Sequence, residues 1–146
     1  MSSLLQIGDV VGRTGLTHRA LHYYEEIGLL VPSVKLEGGM RLYTEEDLLR
    51  IDRILELREL LGLSLKEIKR MLEAEESRAA LLRAAQRESN PESRRADLEK
   101  ALAIAQEQLD QVRARLEQMR ILEGRLADEL QSLREALESP ASDNGK

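Results

Sequence analysis

The sequence of 146 residues contains no cysteine, no tryptophan and no phenylalanine, and only three prolines, three tyrosines and two histidines. The lack of cysteine excludes disulfides, thiolate metal ligands, cysteine nucleophiles and thiol redox sensing. No apolar run approaches the roughly 20 residues needed to cross a bilayer. The opening MSSLLQIGDV also lacks a basic flank followed by an apolar block, so a cytoplasmic protein without a membrane partner is expected. A net charge of −5 argues against indiscriminate coating of nucleic acid, and any DNA binding must rest on a local patch. No nucleophile–base pair, phosphate-binding glycine loop or carboxylate cluster stands at usable spacing, so no enzymatic activity is expected.

What is present divides the chain. Residues 1–75 hold all the tyrosines, both histidines and seven of the nine glycines, with apolar groups interrupted at short intervals, the pattern of a small many-turned domain. From about Glu76 onward Ala, Leu, Glu, Arg and Gln dominate, the composition of long helix. The expected organisation is a domain over 1–75, a connecting amphipathic helix over 76–90, a long helix over 91–138 and a disordered polar tail, SPASDNGK, over 139–146.

In LQIGDVVGRTG, Ile7, Val10 and Val11 share one face of a short helix that Gly15 ends. Thr17 is an N-cap for a second helix, GLTHRALHYYEEIGLL, in which Leu21, Tyr24 and Ile27 point inward and Gly28 stops the helix. Helix, glycine turn, helix is the helix-turn-helix plan, whose second helix enters a major groove. His18, Arg19, His22 and Tyr23 then face outward near the helix start, where guanidinium, imidazole and phenol groups suit bases and phosphates. A plain solvated surface is the competing reading of the same face. Beyond Pro32, SVKL and MRLY flank an EGG turn and read as a hairpin, with Leu42 packed on the helices and Arg41 at the surface. Thr44 with Asp47, and Ser64 with Glu67, are capping signals for two further helices separated by Gly62.

The run from IGDVVGRTG through YYEEIGLL, EGGMRLY and LGLSLKEIK resembles the DNA-binding domain of the MerR family of bacterial transcription regulators, with separated motifs agreeing in order and spacing over about half the chain. The resemblance implies a mainly α fold: a winged helix-turn-helix with a second helix pair, followed by a long coiled-coil dimerisation helix. It implies DNA contacts from Thr17, Arg19 and Tyr23 on the recognition helix and from Arg41 and Tyr43 on the wing. His22 stands where many members carry arginine, and Met40 replaces the usual wing aromatic.

Asn90 and Pro91 mark a helix start. From there a seam runs through Leu98, Leu102, Ala105, Leu109, Val112, Leu116, Met119, Glu123, Leu126, Leu130, Leu133 and Leu137, with spacings of four and three alternating. A 3.5-residue repeat of this length requires a partner helix. Two partners are open: a fold-back near Gly124, or a second copy of the chain, which the heptad, broken only at Glu123, favours. The resemblance implies an antiparallel homodimer on a pseudo-palindromic promoter site in double-stranded DNA. Bending and untwisting of that site would help RNA polymerase, its indirect partner, to start transcription. His18 and His22 lie four apart with no third ligand nearby, so neither metal nor cofactor is expected. A small-molecule effector is left unidentified. Two other readings stay open: an architectural, excisionase-like DNA-bending protein, and a coiled-coil protein-interaction module.

Overall fold

Apolar residues three and four apart set the inner faces of the helices. In the computed structural model, which describes residues 3–32 and 34–140, α1 spans Ile7–Thr14 and α2 His18–Glu26. Val10 of α1 and Leu21 and Tyr24 of α2 are buried, with Ile7, Val11 and Ile27 packed against them, as the spacing predicts. Gly15 joins the two helices at φ 76°, a left-handed conformation that costs glycine little. Thr17 caps α2, its hydroxyl accepting from the Ala20 N–H at 3.0 Å.

The end of α2 is closed more firmly than its start. The N–H of Leu29 donates to the carbonyl of Tyr24 at 2.9 Å and that of Gly28 to Glu25 at 3.1 Å, the paired bonds of a Schellman stop, with Gly28 at φ 75°. The adjoining carbonyls of Ile27 and Leu29 accept from Lys69 Nζ at 2.9 Å and Arg50 Nε at 2.8 Å. Leu29, Leu30 and Pro32 are buried directly after.

Three short strands follow the order β1–β3–β2: β1 (Leu5–Gln6), β2 (Val34–Lys35) and β3 (Arg41–Tyr43). Both pairings are antiparallel, with Leu5 opposite Tyr43 and Lys35 opposite Arg41, and a 3-10 turn at Glu37–Gly39 forms the tip between β2 and β3. Strand β1 lies outside the predicted hairpin and completes it to a sheet. The pleat also runs in the opposite phase to the expectation: Tyr43 is fully buried, while Leu42 is half-buried and Met40 exposed. A tyrosine ring offers more apolar surface than leucine to this small core, and its hydroxyl finds a partner there.

The helices α3 (Glu45–Glu59) and α4 (Leu65–Arg87) complete the core with Leu48, Ile51, Ile54, Leu57, Ile68 and Leu72. Both predicted capping pairs form: Thr44 with Asp47, and Ser64 with Glu67. Arg53 donates to Glu75 at 3.1 Å and Arg50 to Glu76, linking the two helices. Tyr24 keeps its ring in the core while its hydroxyl accepts from Arg58 at 2.9 Å.

By internal contacts the chain falls into two units, Met1–Glu76 and Ser77–Lys146. The separate connecting helix expected over 76–90 does not exist as such. Helix α4 continues unbroken to Arg87, because residues 73–87 contain neither glycine nor proline and are rich in strong helix formers. In the second unit, the end of α4 turns through residues 88–90 into α5 (Pro91–Glu138), capped by Asn90, which accepts from Glu92 and Ser93. Arg78 donates to Gln108, and Ala85 and Ala101 are buried, so the two helices are joined at this end. Helix α5 passes through Gly124 without interruption, which removes the fold-back reading. Residues 141–146 of the tail predicted as disordered lie outside the described residues. Among the described residues no helix is long and apolar enough to cross a membrane.

Candidate nucleic-acid interface

The inward commitment of Leu21 and Tyr24 turns the opposite side of α2 to solvent. Thr17, His18, Arg19, His22 and Tyr23 are all exposed, Tyr23 at 49 %. They cluster in the first two turns, where the first backbone N–H groups of the helix have no intrahelical acceptor and the helix dipole is positive. The hydroxyl of Thr17 is already an acceptor in the cap, and its O–H can rotate to donate elsewhere.

The wing stands beside this face. His18 and His22 of α2, Met40 and Arg41 of the wing, and Gln6 and Ile7 at the start of α1 line one open cleft of about 240 Å³. Helix α2 and the wing therefore line one cleft, with the imidazoles on one side and Met40 and Arg41 on the other.

Beneath the surface the two elements are clasped by Glu25. Its side chain is only 7 % exposed, and its carboxylate meets Arg41 Nε at 2.8 Å. It also accepts from the Tyr43 hydroxyl at 2.5 Å. Arg41 and Tyr43, two apart in β3, thus share the face of the strand turned toward α2. Arg41 reaches onward, with Nη1 2.7 Å from His22 Nδ1. Burial and the neighbouring Glu25 carboxylate push the Tyr43 phenol well above its ordinary value.

These contacts correct the two wing assignments. Tyr43 was expected on the surface and is instead a core residue whose hydroxyl is spent on Glu25. Arg41, expected at the surface, is half-buried, with its guanidinium paired to Glu25. Glu25 itself was missed by the sequence reading. Its only signal was a carboxylate next to the inward-facing Tyr24, and its partners lie 16 and 18 residues away across a turn. Lys69, on α4, is held on the carbonyl of Ile27 at the end of α2.

Residues 5–75 match the family described as MerR HTH family regulatory protein. This segment is a MerR-family domain. Curated relatives of the MerR-family segment include the nodulation protein NolA of Bradyrhizobium sp. (strain NC92), 46 % identical over 78 residues, which are 53 % of this chain and 32 % of the relative. The HTH-type transcriptional regulator YfmP of Bacillus subtilis (strain 168) is 39 % identical over 69 residues, 47 % of this chain and 49 % of the relative. The chain thus spans 32 % and 49 % of these relatives' own lengths. Among solved structures, the N-terminal part of the Bacillus subtilis multidrug transporter activator, MtaN, aligns over 92 % of this chain and 99 % of that one, at 28 % identity and a TM-score of 0.50. The MerR-type domain here carries no group of three or more His, Asp or Glu side chains placed to hold a metal among the described residues.

Proposed function

We propose that the protein is a sequence-specific transcription regulator that binds a pseudo-palindromic promoter site as a homodimer and distorts the DNA to control initiation by RNA polymerase. The observation that carries this reading is the exposed start of α2, where Thr17, His18, Arg19, His22 and Tyr23 stand beside the wing in a MerR-family domain. In this arrangement Arg19 is the group best suited to a guanine edge, through paired N–H donors. Thr17 and the free N–H groups at the helix start suit phosphate. Tyr23 offers a hydroxyl to the backbone and His18 and His22 offer ring nitrogens.

Self-association is supported by the seam of α5. Leu98, Leu102, Leu109, Val112, Leu116, Met119, Leu126 and Leu130 are each between 41 % and 68 % exposed, on a helix of 48 residues. Such a stripe is unfavourable in water and is covered by a matching stripe in a coiled coil. Two linked domains then address two half-sites, and distortion of the intervening DNA costs on the order of 1–6 kcal/mol, which the paired contacts supply. A cytoplasmic location follows from this role.

Selection from a random DNA pool with the purified protein, followed by salt-titrated binding, tests the reading. A dyad of fixed spacing is expected, with Arg19→Ala relaxing the preference at one position of each half-site. Binding without any sequence enrichment, or no effect of Arg19→Ala, would show that α2 is not a reading helix.

A further inference from the structure

The outward orientation of His22 is set from inside the protein. A guanidinium nitrogen only donates hydrogen bonds, so at 2.7 Å from Arg41 Nη1 the Nδ1 of His22 is the acceptor. The ring proton of the neutral imidazole then sits on Nε2. A proton on Nδ1 would set two donors face to face. Arg41 is held on its inner side by an ion pair, its Nε 2.8 Å from the Glu25 carboxylate, which also accepts from the Tyr43 hydroxyl. The sequence of contacts Tyr43, Glu25, Arg41, His22 runs from a fully buried ring to a side chain 51 % exposed in the cleft between helix and wing.

We infer that Arg41 is a positioning residue that holds His22 as its Nε2–H tautomer, and that this single donor reads a hydrogen-bond acceptor on a base edge in the major groove. The inference rests on the DNA-binding reading above and adds the chemistry of one contact. Guanine offers O6 and N7 to such a donor, adenine N7 and thymine O4, whereas the cytosine edge presents its own N4 donor. The position contacted by His22 therefore excludes cytosine on the contacted strand. A free arginine at this place in α2 would read guanine with two donors. An imidazole fixed in one tautomer reads more broadly, by exclusion.

The test uses the full-length protein with 15N-labelled histidine. Recorded free of DNA at mildly alkaline pH, the imidazole spectrum of the wild type is expected to show His22 in the Nε2–H form alone. The paired variant Glu25→Gln with Arg41→Met removes the ion pair without leaving a lone charge, and is expected to show a mixture of both tautomers. Arg41→Lys, which keeps a donor toward Nδ1, restores the single form. In random-pool selection the wild type excludes cytosine at one position of each half-site. The paired variant loses about threefold to tenfold of that discrimination, the worth of one neutral hydrogen bond, with the salt dependence of binding unchanged. An Nδ1–H tautomer in the wild type, or cytosine accepted at every position, overturns the inference. So does a salt slope that falls by about one in the paired variant, because Arg41 would then be a phosphate contact. A wild type that binds no DNA overturns the regulator reading and the base contact together, and the free-protein spectrum separates that failure from an error in the tautomer.

Discussion

Tyr43 illustrates how much one side chain can carry. Its phenol is raised by burial first and by Glu25 second. The folded value lies above the unfolded value of about 10. The stability tied to the protonated phenol is therefore fully present below pH ~10 and is lost as pH rises toward the folded value, by up to about 1.4 kcal/mol per pH unit. Denaturant titrations across alkaline pH should show Tyr43→Phe with a flatter decline than the wild type. At neutral pH the same variant should be less stable by about 1–3 kcal/mol, because a nearly buried carboxylate oxygen loses its donor. Gly28 carries a different load. A side chain there would stand at φ 75°, and its Cβ would lie 3.2 Å from Lys69 Nζ, which would have to give by a few tenths of an ångström. Gly28→Ala should cost about 1–2 kcal/mol in chemical denaturation. An unchanged midpoint would mean that the stop of α2 is not strained by a Cβ.

At the scale of elements, the cap of α2 gives the most direct prediction. Thr17→Ala removes the acceptor for the Ala20 N–H. It should lower stability by about 1 kcal/mol, and should weaken DNA binding by more than that loss alone explains, since the helix start is also the proposed phosphate contact. Comparing thermal midpoints with binding constants separates the two effects. The helices were legible in the sequence because their information is local: period, cap and glycine stop fall within one turn of each other, as at Thr17, Gly28, Thr44 with Asp47, and Ser64 with Glu67. The sheet was less so. Strand β1 has only two residues, too few to show alternation, and its partner Tyr43 is 38 positions from Leu5. Tyr43 and Arg41 both meet Glu25, a residue of another element, so the outward assignment of Tyr43 failed for a reason that no local pattern in β3 carries. The unit boundary near Glu76 agrees with the composition change, but no new helix starts there, because a change of composition is not a change of backbone and α4 runs through it. The exposed face of α2 followed directly from the inward positions of Leu21 and Tyr24.

For the whole molecule, the decisive feature is the outer length of α5. From Leu109 to Leu137 its large apolar residues are between 43 % and 87 % exposed, and a helix without a neighbour is marginal in water. Replacing Leu116 and Leu130 with glutamate should abolish the proposed self-association, lower the helical circular dichroism signal, and reduce affinity for a two-half-site DNA far more than for a single half-site. Sedimentation of the wild type and the variant checks the first point, and the thermal midpoint of the wild type should rise with protein concentration. A monomeric wild type with full helicity would refute the pairing of α5. The clasp at Glu25 bears on how such a molecule is controlled. Glu25 ties α2 to the wing through Arg41 and Tyr43, so these two elements are coupled to one another. In the proposed dimer a controlling signal would act by changing the distance or angle between two such units, as calipers are set by their hinge and not by bending their points.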